Sequence, residues 1–408
     1  MRILIFGAGV LGCNLARNLF RAGKDVTLLA RGNWAKEVQA NGLRIKNLLS
    51  PHTSICRIPV ITELSPEDTY DVVFAAVRYT QLEAVAETLR ANSSKNIVFV
   101  GNNVRATELT ARLPEKNVLF AFSLSAGHRE NDRVVSIDLK KITIGPLSDS
   151  PSAETLIKQI FEGTHYTVIY EPHMEDYLLC HAAFVLPAAF ACYKTDGNLK
   201  KLKGNTAYLN RMIDANIEGY RAIQNAGHEI LPDADKDFEG SAYRKTCLRF
   251  FKLMCATPLG KICASDHAMN AIDEMSALNR DIKRFFDENG AVDGLMGKAY
   301  ESGLISKKDE MNIPVKLVTL FFADKNATGL IREKRLVYVK DILAASIVDE
   351  TFKGTKDPEN KVNVIPQNTV LISCTQSEDI LTLNQPGTSF PSHCDKNKTP
   401  GVDMTTGS

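Results

Sequence analysis

Three glycines near the start of the chain have the spacing of a turn that binds phosphate groups. They lie in the run GAGVLG, between the apolar residues 3–6 and a segment whose leucines recur at helical spacing. In such a strand–turn–helix unit, the first glycine makes the tight turn, the second lets the backbone approach a pyrophosphate, and the third lets the helix pack closely. The N–H groups that begin the helix would then bind the pyrophosphate. The residues of this predicted dinucleotide site are Gly7, Ala8, Gly9, Val10, Leu11 and Gly12.

Arg31 stands just after the second predicted strand, residues 25–29. Sites for NAD usually carry an acidic residue here, which binds the ribose hydroxyls, whereas an arginine accepts a 2′-phosphate. The sequence therefore predicts NADP(H) as the preferred cofactor. The alternative interpretation of Arg31 is a solvated cation at the end of a strand.

Two further polar residues follow predicted strands. Arg78 comes after residues 71–77, which are rich in β-branched and aromatic side chains, and Asn102 comes after residues 96–100. Ligands of open parallel sheets bind beyond the carboxyl ends of the strands. We therefore expect Arg78 and Asn102 at the edge of the sheet where the cofactor lies.

The pattern along the chain predicts an α/β, Rossmann-like domain over residues 1–170 and an all-α domain over residues 171–325. We assign the cofactor to the first domain, and the substrate and dimerisation to the second. For residues 326–408 we predict a remnant of helix and then a proline-rich, partly disordered extension, with room for a short hairpin. A length of 408 residues fits two or three domains.

The composition excludes several classes of function. Lys and Arg total 49 against 48 Asp and Glu, so no net field recruits nucleic acid or a membrane surface. The nine cysteines form no CxxC pair and no histidines have metal-ligand spacing, which predicts reduced thiols, a cytoplasmic protein and no metal site. The first strand begins at residue 2, so we expect no signal peptide. The longest apolar stretch, residues 177–193, contains His181 and Pro187, and we expect it to be too short and interrupted to span a bilayer.

Together these features resemble the ketopantoate reductases, which reduce 2-dehydropantoate to (R)-pantoate with NADPH in pantothenate biosynthesis. The resemblance rests on the segments GAGVLG, LLARGN, AAVRYTQ, VGNN, AGHEILP and SDHAMNAIDEMSALN, and it covers roughly residues 1–320. It implies a cytoplasmic oxidoreductase that acts on a small 2-oxo acid, and it makes a homodimer a further expectation.

The resemblance also implies roles for single residues of the cofactor site. Arg31 would bind the 2′-phosphate. Arg78 stands where the family has a lysine, and Gln81 matches a glutamine that some members carry. Asn102 corresponds to the family's asparagine near the nicotinamide, and we expect it to contact the substrate as well.

For catalysis, the family uses a lysine and a glutamate. Glu274 matches the glutamate and Asn279 is in matching register, while Ser265 lies near the position of a substrate-binding serine. The alternative for Glu274 is a solvated helix face. The lysine has no counterpart, because the chain has none between residues 158 and 194, and Leu178 or Leu179 takes its place.

Three interpretations of the missing lysine stay open. His181, farther along the same helix, would serve as the proton donor, because an imidazolium is a competent acid near neutral pH; otherwise it is a packed core residue. A different 2-oxo acid would be reduced with a donor from elsewhere, such as Lys194 or water. Otherwise the chain binds NADP(H) without turnover. A related hydroxyacid dehydrogenase that works in the oxidative direction is a further alternative.

Overall fold

The computed structural model describes residues 1–50, 52–288, 315–326 and 328–338, together with residues 347–348, 351, 354–355, 361–362, 373–377 and 380–384. It forms two compact units, Met1–Asn312 and Ile313–Ser408.

The first part of the larger unit alternates strands and helices. In chain order these are β1 (Arg2–Phe6), α1 (Val10–Arg21), β2 (Asp25–Leu29), α2 (Gly32–Asn41), β3 (Leu43–Asn47), β4 (Thr53–Cys56), β5 (Val60–Ile61), β6 (Val72–Ala75), α3 (Leu82–Ala91), β7 (Asn96–Val100), α4 (Ala106–Ala111), β8 (Asn117–Arg129), β9 (Val134–Gly145), α5 (Pro151–Phe161) and β10 (Thr167–Tyr170). A 3₁₀ turn, Tyr79–Gln81, precedes α3.

All ten strands belong to one mixed sheet with the order β4-β3-β9-β8-β7-β6-β1-β2-β5, and β10 pairs with β9. The six neighbouring strands β8, β7, β6, β1, β2 and β5 are parallel, and β8 and β9 form an antiparallel hairpin. The predicted Rossmann-like fold is thus confirmed. The β-branched and aromatic residues of β1, β6 and β7 are buried, as expected for parallel strands covered on both faces.

The β8–β9 hairpin packs on α1, the helix that begins at the glycine turn. Asn14 donates from its Nδ2 to Ser125 Oγ at 2.6 Å, and Arg17 Nη2 lies 2.5 Å from Asp138 Oδ2. Both members of the Arg17–Asp138 pair are buried, so loss of either would leave an uncompensated charge. These contacts fix the hairpin against the first turns of α1.

The rest of the described part of this unit is helical, as predicted. Its helices are α6 (Met174–Lys194), α7 (Thr206–Asn225), α8 (Ser241–Ala256), α9 (Pro258–Gly260), α10 (Asp266–Asn270) and α11 (Ile272–Glu288). A π-helical turn, Lys261–Ser265, joins α9 to α10, and Ala271 separates α10 from α11.

Helix α6 has 21 residues, more than we expected of its apolar stretch, and by length and composition alone it could cross a membrane. However, 67% of its most apolar window is buried inside the protein, which is typical of a core helix.

The smaller unit contains strands where we expected a helical remnant. β11 (Val315–Asp324) pairs with β12 (Leu330–Tyr338) and with β13 (Lys361–Val362), and β14 (Ser373–Ser377) forms a hairpin with β15 (Ile380–Asn384). Residues 330–338 therefore form a strand and not the helical remnant that we expected there, whereas residues 347–348 and 351 are helical. β11 and β12 also pair across residue 325, where we placed a domain boundary. The rest of the predicted disordered extension lies outside the described residues.

Candidate functional site

Two of the three glycines in the opening turn are required by its geometry. Gly7 has a φ of +115°, and a Cβ there would lie 2.3 Å from the carbonyl oxygen of Ala76, which follows the neighbouring strand β6. A Cβ on Gly12 would lie 1.9 Å from the carbonyl oxygen of Gly7. Both distances are far below van der Waals contact, so only glycine allows β1, the turn and α1 to pack this closely.

Gly9 is different, because a Cβ there would meet no atom within 4 Å. Gly9 is the N-cap residue of α1, so no side chain caps the first N–H groups of the helix. The first turn of the helix holds no acidic residue. Open space, unpaired N–H groups and the positive end of a twelve-residue helix are the features of an anion site. The turn therefore fits the pyrophosphate of a dinucleotide.

Arg31 is the N-cap residue of α2, directly beyond the end of β2. Its side chain is exposed, and it forms no hydrogen bond or ion pair with the described residues. The guanidinium is thus available to a phosphate at the position that the sequence indicated.

Arg78 and Gln81 occupy the predicted edge of the sheet, but both already have partners. The Arg78 guanidinium donates to the carbonyl oxygen of Asn270 at 3.0 Å and lies 3.5 Å from Asp273 Oδ1. Gln81 Oε1 accepts a hydrogen bond from the backbone N–H of Arg78 at 3.2 Å. Arg78 therefore joins the sheet edge to the residue beside Glu274.

Two neighbouring asparagines follow β7. The Oδ1 atom of Asn102 and the Nδ2 atom of Asn103 are buried and have no hydrogen-bond partner in the part of the chain that the structure describes, while Asn103 Oδ1 accepts from the backbone N–H of Arg105 at 2.8 Å. Buried polar groups are rarely unpaired in native proteins unless a ligand or water satisfies them. Asn103 was missed by the sequence analysis, although its place directly after Asn102 is the signal that would have found it.

Glu274 and Asn279 lie on α11 and are both buried, with 5% and 6% of their surface exposed. The solvated helix face that we considered for Glu274 is therefore wrong. Its carboxylate forms no hydrogen bond or ion pair with the described residues. Asn279 Oδ1 and Ser276 Oγ are also buried, and neither has a hydrogen-bond partner within the described ranges. The start of α11 thus carries several polar groups whose hydrogen bonds a bound molecule would complete.

His181 packs between aromatic rings. Its ring centroid is 3.9 Å from that of Phe122 and 6.4 Å from that of Tyr177. Phe122 directly follows Ala121, the partner of Val100 at the end of β7, so His181 is placed near the strand end that Asn102 follows.

Burial, assisted by the charge of His267, lowers the pKa of His181 to about 4. At neutral pH the ring is therefore a neutral imidazole, and not the imidazolium on which we based its role as proton donor.

The position expected for a lysine is apolar. Leu178 and Leu179 are both buried, and Ser265 is buried with its Oγ 3.5 Å from the thiol of Cys192. Lys194 is exposed at the last turn of α6, thirteen residues beyond His181, which corresponds to about 20 Å along a helix. Lys194 and His181 therefore do not serve the same reacting atom.

A second set of contacts joins the hairpin to the helices. His128 Nδ1 lies 3.1 Å from Asp266 Oδ2, and Lys261 Nζ lies 2.5 Å from Asp266 Oδ1. The 3₁₀ turn before α3 is likewise joined to α11, because Tyr79 Oη donates to Asp281 Oδ2 at 2.8 Å.

Nowhere in the described ranges do three or more His, Cys, Asp or Glu side chains form a group that could hold a metal ion.

The first domain matches a known family. Residues 3–149 match the model of the ketopantoate reductases, PanE/ApbA. These residues, about a third of the chain, are thus similar to the ketopantoate reductase family. The predicted resemblance is thereby confirmed, and the family and its structural neighbours are oxidoreductases.

Solved ketopantoate reductases share the fold over most of the chain. The 2-dehydropantoate 2-reductase from Geobacter metallireducens GS-15 aligns with a TM-score of 0.62 and 16% identity, covering 74% of this chain and 98% of that one. A dimeric ketopantoate reductase from Staphylococcus aureus has a TM-score of 0.57 and 15% identity, covering 74% and 96%.

A ternary structure of D-mandelate dehydrogenase with NADH and anilino(oxo)acetate aligns with a TM-score of 0.61 and 14% identity, covering 77% of this chain and 100% of that one. At such low identities the likeness establishes the fold and leaves the substrate open.

One curated protein also shares a short segment with the chain. The 6-deoxy-6-sulfo-D-fructose transketolase subunit SqwG of Clostridium sp. (strain MSTE9) is 70% identical over 27 residues, which are 7% of this chain. The chain spans 10% of the length of that curated relative, so this match carries no function for the whole protein.

Proposed function

We propose that the protein reduces a small 2-oxo acid with NADPH, and that 2-dehydropantoate is the substrate and (R)-pantoate the product. The observation that carries this proposal is the guanidinium of Arg31, which has no hydrogen-bond or ion-pair partner among the described residues. It stands at the end of β2, in a domain that matches the ketopantoate reductase model. A 2′-phosphate would satisfy it, and an NADH ribose would not. The pyrophosphate would lie on the open turn at Gly9.

The bound cofactor would supply a hydride to the carbonyl carbon. The chain's own residues would hold the substrate and stabilise the charge that develops on its carbonyl oxygen, and this oxygen would take its proton from solvent water to complete the alcohol. His181 is suited to donate a hydrogen bond as a neutral imidazole. One ring nitrogen still carries a proton when the pH is above the pKa of about 4. Asn102 would orient the carbonyl side of the substrate.

Glu274 supports 2-dehydropantoate over a simple 2-oxo acid. It is a buried carboxylate without a hydrogen-bond donor among the described residues. The terminal hydroxyl of 2-dehydropantoate would donate to it, whereas 2-oxoisovalerate has a similar branched carbon skeleton and no hydroxyl. A bound 2-oxoisovalerate would cover the carboxylate without pairing it, which is costly, so the site should discriminate between the two substrates.

The test is a steady-state assay of NADPH oxidation with 2-dehydropantoate, 2-oxoisovalerate and phenylglyoxylate. We expect 2-dehydropantoate to have the highest kcat/KM, and Glu274→Gln to remove most of that preference. Equal turnover of the first two substrates would contradict the assignment of Glu274. Faster reaction with phenylglyoxylate, or with mandelate in the oxidative direction, would favour a hydroxyacid dehydrogenase.

The buried leucines at the expected lysine position favour a second candidate function. Leu178 and Leu179 offer no charge to a substrate, so the protein would be an NADP(H)-binding protein with impaired catalysis. Tight NADPH binding without turnover of any 2-oxo acid would support this function. We also propose that the protein is a cytoplasmic homodimer. Light scattering of the purified protein would test the dimer.

A further inference from the structure

The β8–β9 hairpin carries a second arginine to the first turn of α2, which Arg31 caps. Arg129 is the last residue of β8, and its guanidinium carbon lies 5.2 Å from the ring centroid of Trp34. Trp34 is the third residue of α2 and is buried, so its ring is a fixed platform. The guanidinium therefore lies against the same turn of the chain that begins at Arg31.

The charge of Arg129 also reaches the first turn of α1. Burial raises the pKa of the Cys13 thiol to about 12, and the charge of Arg129 partly opposes that shift. The backbone N–H of Cys13 donates to the carbonyl oxygen of Gly9 at 2.9 Å, which places Cys13 one turn into the helix. Arg129 thus lies against the first turn of α2 and within electrostatic range of Cys13 in α1. In a Rossmann-like sheet the adenosine ribose lies between the first turns of these two helices.

The guanidinium N–H groups of Arg129 have no hydrogen-bond partner among the described residues. The neighbouring carboxylate, Glu130, is 2.7 Å from Arg133 Nε and 3.6 Å from His128 Nε2. Arg129 itself forms no hydrogen bond or ion pair with any residue in the described part of the chain. Its contact with Trp34 orients the guanidinium through the aromatic face and uses none of the N–H groups.

We propose that Arg129 is a second cation of the 2′-phosphate site and shares with Arg31 the discrimination between NADPH and NADH. This inference rests on the proposed function, because it presumes a dinucleotide on the glycine turn. A 2′-phosphate carries close to two negative charges at neutral pH, and two guanidinium groups would satisfy more of its oxygens than one. Arg31 would reach the phosphate from the end of β2, and Arg129 would reach it from the hairpin.

Calorimetric titration of the purified protein with NADPH, NADH, 2′,5′-ADP and 5′-AMP tests this role. We expect Arg129→Gln to weaken NADPH and 2′,5′-ADP by about tenfold or more, and to change NADH and 5′-AMP by less than about twofold. Arg129→Lys keeps the positive charge but loses the planar guanidinium, so its affinity for NADPH should lie between those of the wild type and Arg129→Gln. Trp34 is the only tryptophan of the chain, and its fluorescence gives a second signal from the same place.

Arg133→Gln is the matched control. Arg133 lies on the same hairpin, but its guanidinium is paired with Glu130 and Asp132, so the variant should bind all four ligands as the wild type does. If the wild type prefers NADPH and Arg129→Gln keeps the full preference, the role of Arg129 is overturned and the proposed function stands. If the wild type shows no preference for NADPH, the cofactor assignment fails, and this inference fails with it.

Discussion

Arg78, beyond the end of β6, forms an ion pair with Asp273 in the first turn of α11, with 3.5 Å between Nη1 and Oδ1. About half of each side chain is exposed, so the pair adds little stability by itself. Its importance lies in its position, because the cation expected to meet the cofactor is held by α10 and by α11, the helix that carries Glu274. Binding of a dinucleotide would draw Arg78 away from Asp273.

Replacement of Asp273 tests that competition. We expect Asp273→Asn to strengthen NADPH binding by about two- to fivefold, because the released guanidinium can turn to the cofactor. The free energy of unfolding should change by less than about 1 kcal/mol, as for other exposed pairs. Glu87→Gln, which removes a similarly exposed partner of Arg90 and Arg112, is the control. Unchanged or weaker NADPH affinity in Asp273→Asn would show that Arg78 plays no part in binding.

The glycine turn allows stability and binding to be separated. Gly12→Ala should destabilise the protein by about 2 kcal/mol or more, because its Cβ would overlap the carbonyl oxygen of Gly7. Gly9→Ala should leave the free energy of unfolding within about 1 kcal/mol of the wild type, since its Cβ has open space, yet it should weaken NADPH binding. Urea denaturation and calorimetry check the pair. A stable Gly12→Ala variant, or a Gly9→Ala variant with full affinity, would contradict this account.

His181 should make the protein sensitive to mild acid. Its pKa of about 4 lies below the value of 6.5 that the unfolded chain is expected to have, so below pH 6.5 the unfolded state binds a proton that the folded state does not. Stability should therefore fall between pH 6.5 and 4, and this group accounts for a loss of about 2–3 kcal/mol.

The comparison variant for that measurement is His181→Gln, which has no titrating group at this position. We expect its urea midpoint to fall less steeply than that of the wild type between pH 7 and 4.5. Parallel pH profiles for the two proteins would mean that His181 takes up its proton in the folded state as readily as in the unfolded one. A donor role for the neutral ring further predicts that kcat stays flat between about pH 6 and 8.

Much of the cofactor site could be predicted because it depends on local rules. Gly7 and Gly12 are dictated by a positive φ and by contact distances within a single strand–turn–helix unit. Arg31 needed only the end of β2 to be located. These constraints act over a few residues, and periodicity and residue type reveal them directly.

The catalytic part depends on contacts between distant segments, and there the sequence was less informative. Arg78 meets a residue 195 positions away, and the burial of Glu274 follows from the packing of α11 on other helices. Neither could be foreseen from residue type or helical spacing. The low pKa of His181 likewise comes from the rings of Phe122 and Tyr177 and from His267, which only the tertiary fold brings together.

A second histidine should have the opposite dependence on pH. His228 Nδ1 lies 2.7 Å from Asp176 Oδ1, and this hydrogen bond raises the pKa of His228. Burial alone would raise the pKa of Asp176, but the hydrogen bonds from His228 and from the backbone N–H of Glu229 outweigh it and lower the value. The contact ties the loop after α7 to the first turn of α6.

The pair is fully effective where His228 is protonated and Asp176 is ionised in both the folded and the unfolded chain, between about pH 4 and 6.5. Its contribution is lost as the pH rises through the raised pKa of His228, and also as the pH falls through the lowered pKa of Asp176. His228→Gln should therefore cost on the order of 1 kcal/mol at pH 5.5 and clearly less at pH 9. Lys236→Gln, which removes an exposed cation from the same loop, should show no such difference. An equal cost of His228→Gln at both values of pH, measured by urea denaturation, would mean that His228 contributes by packing alone.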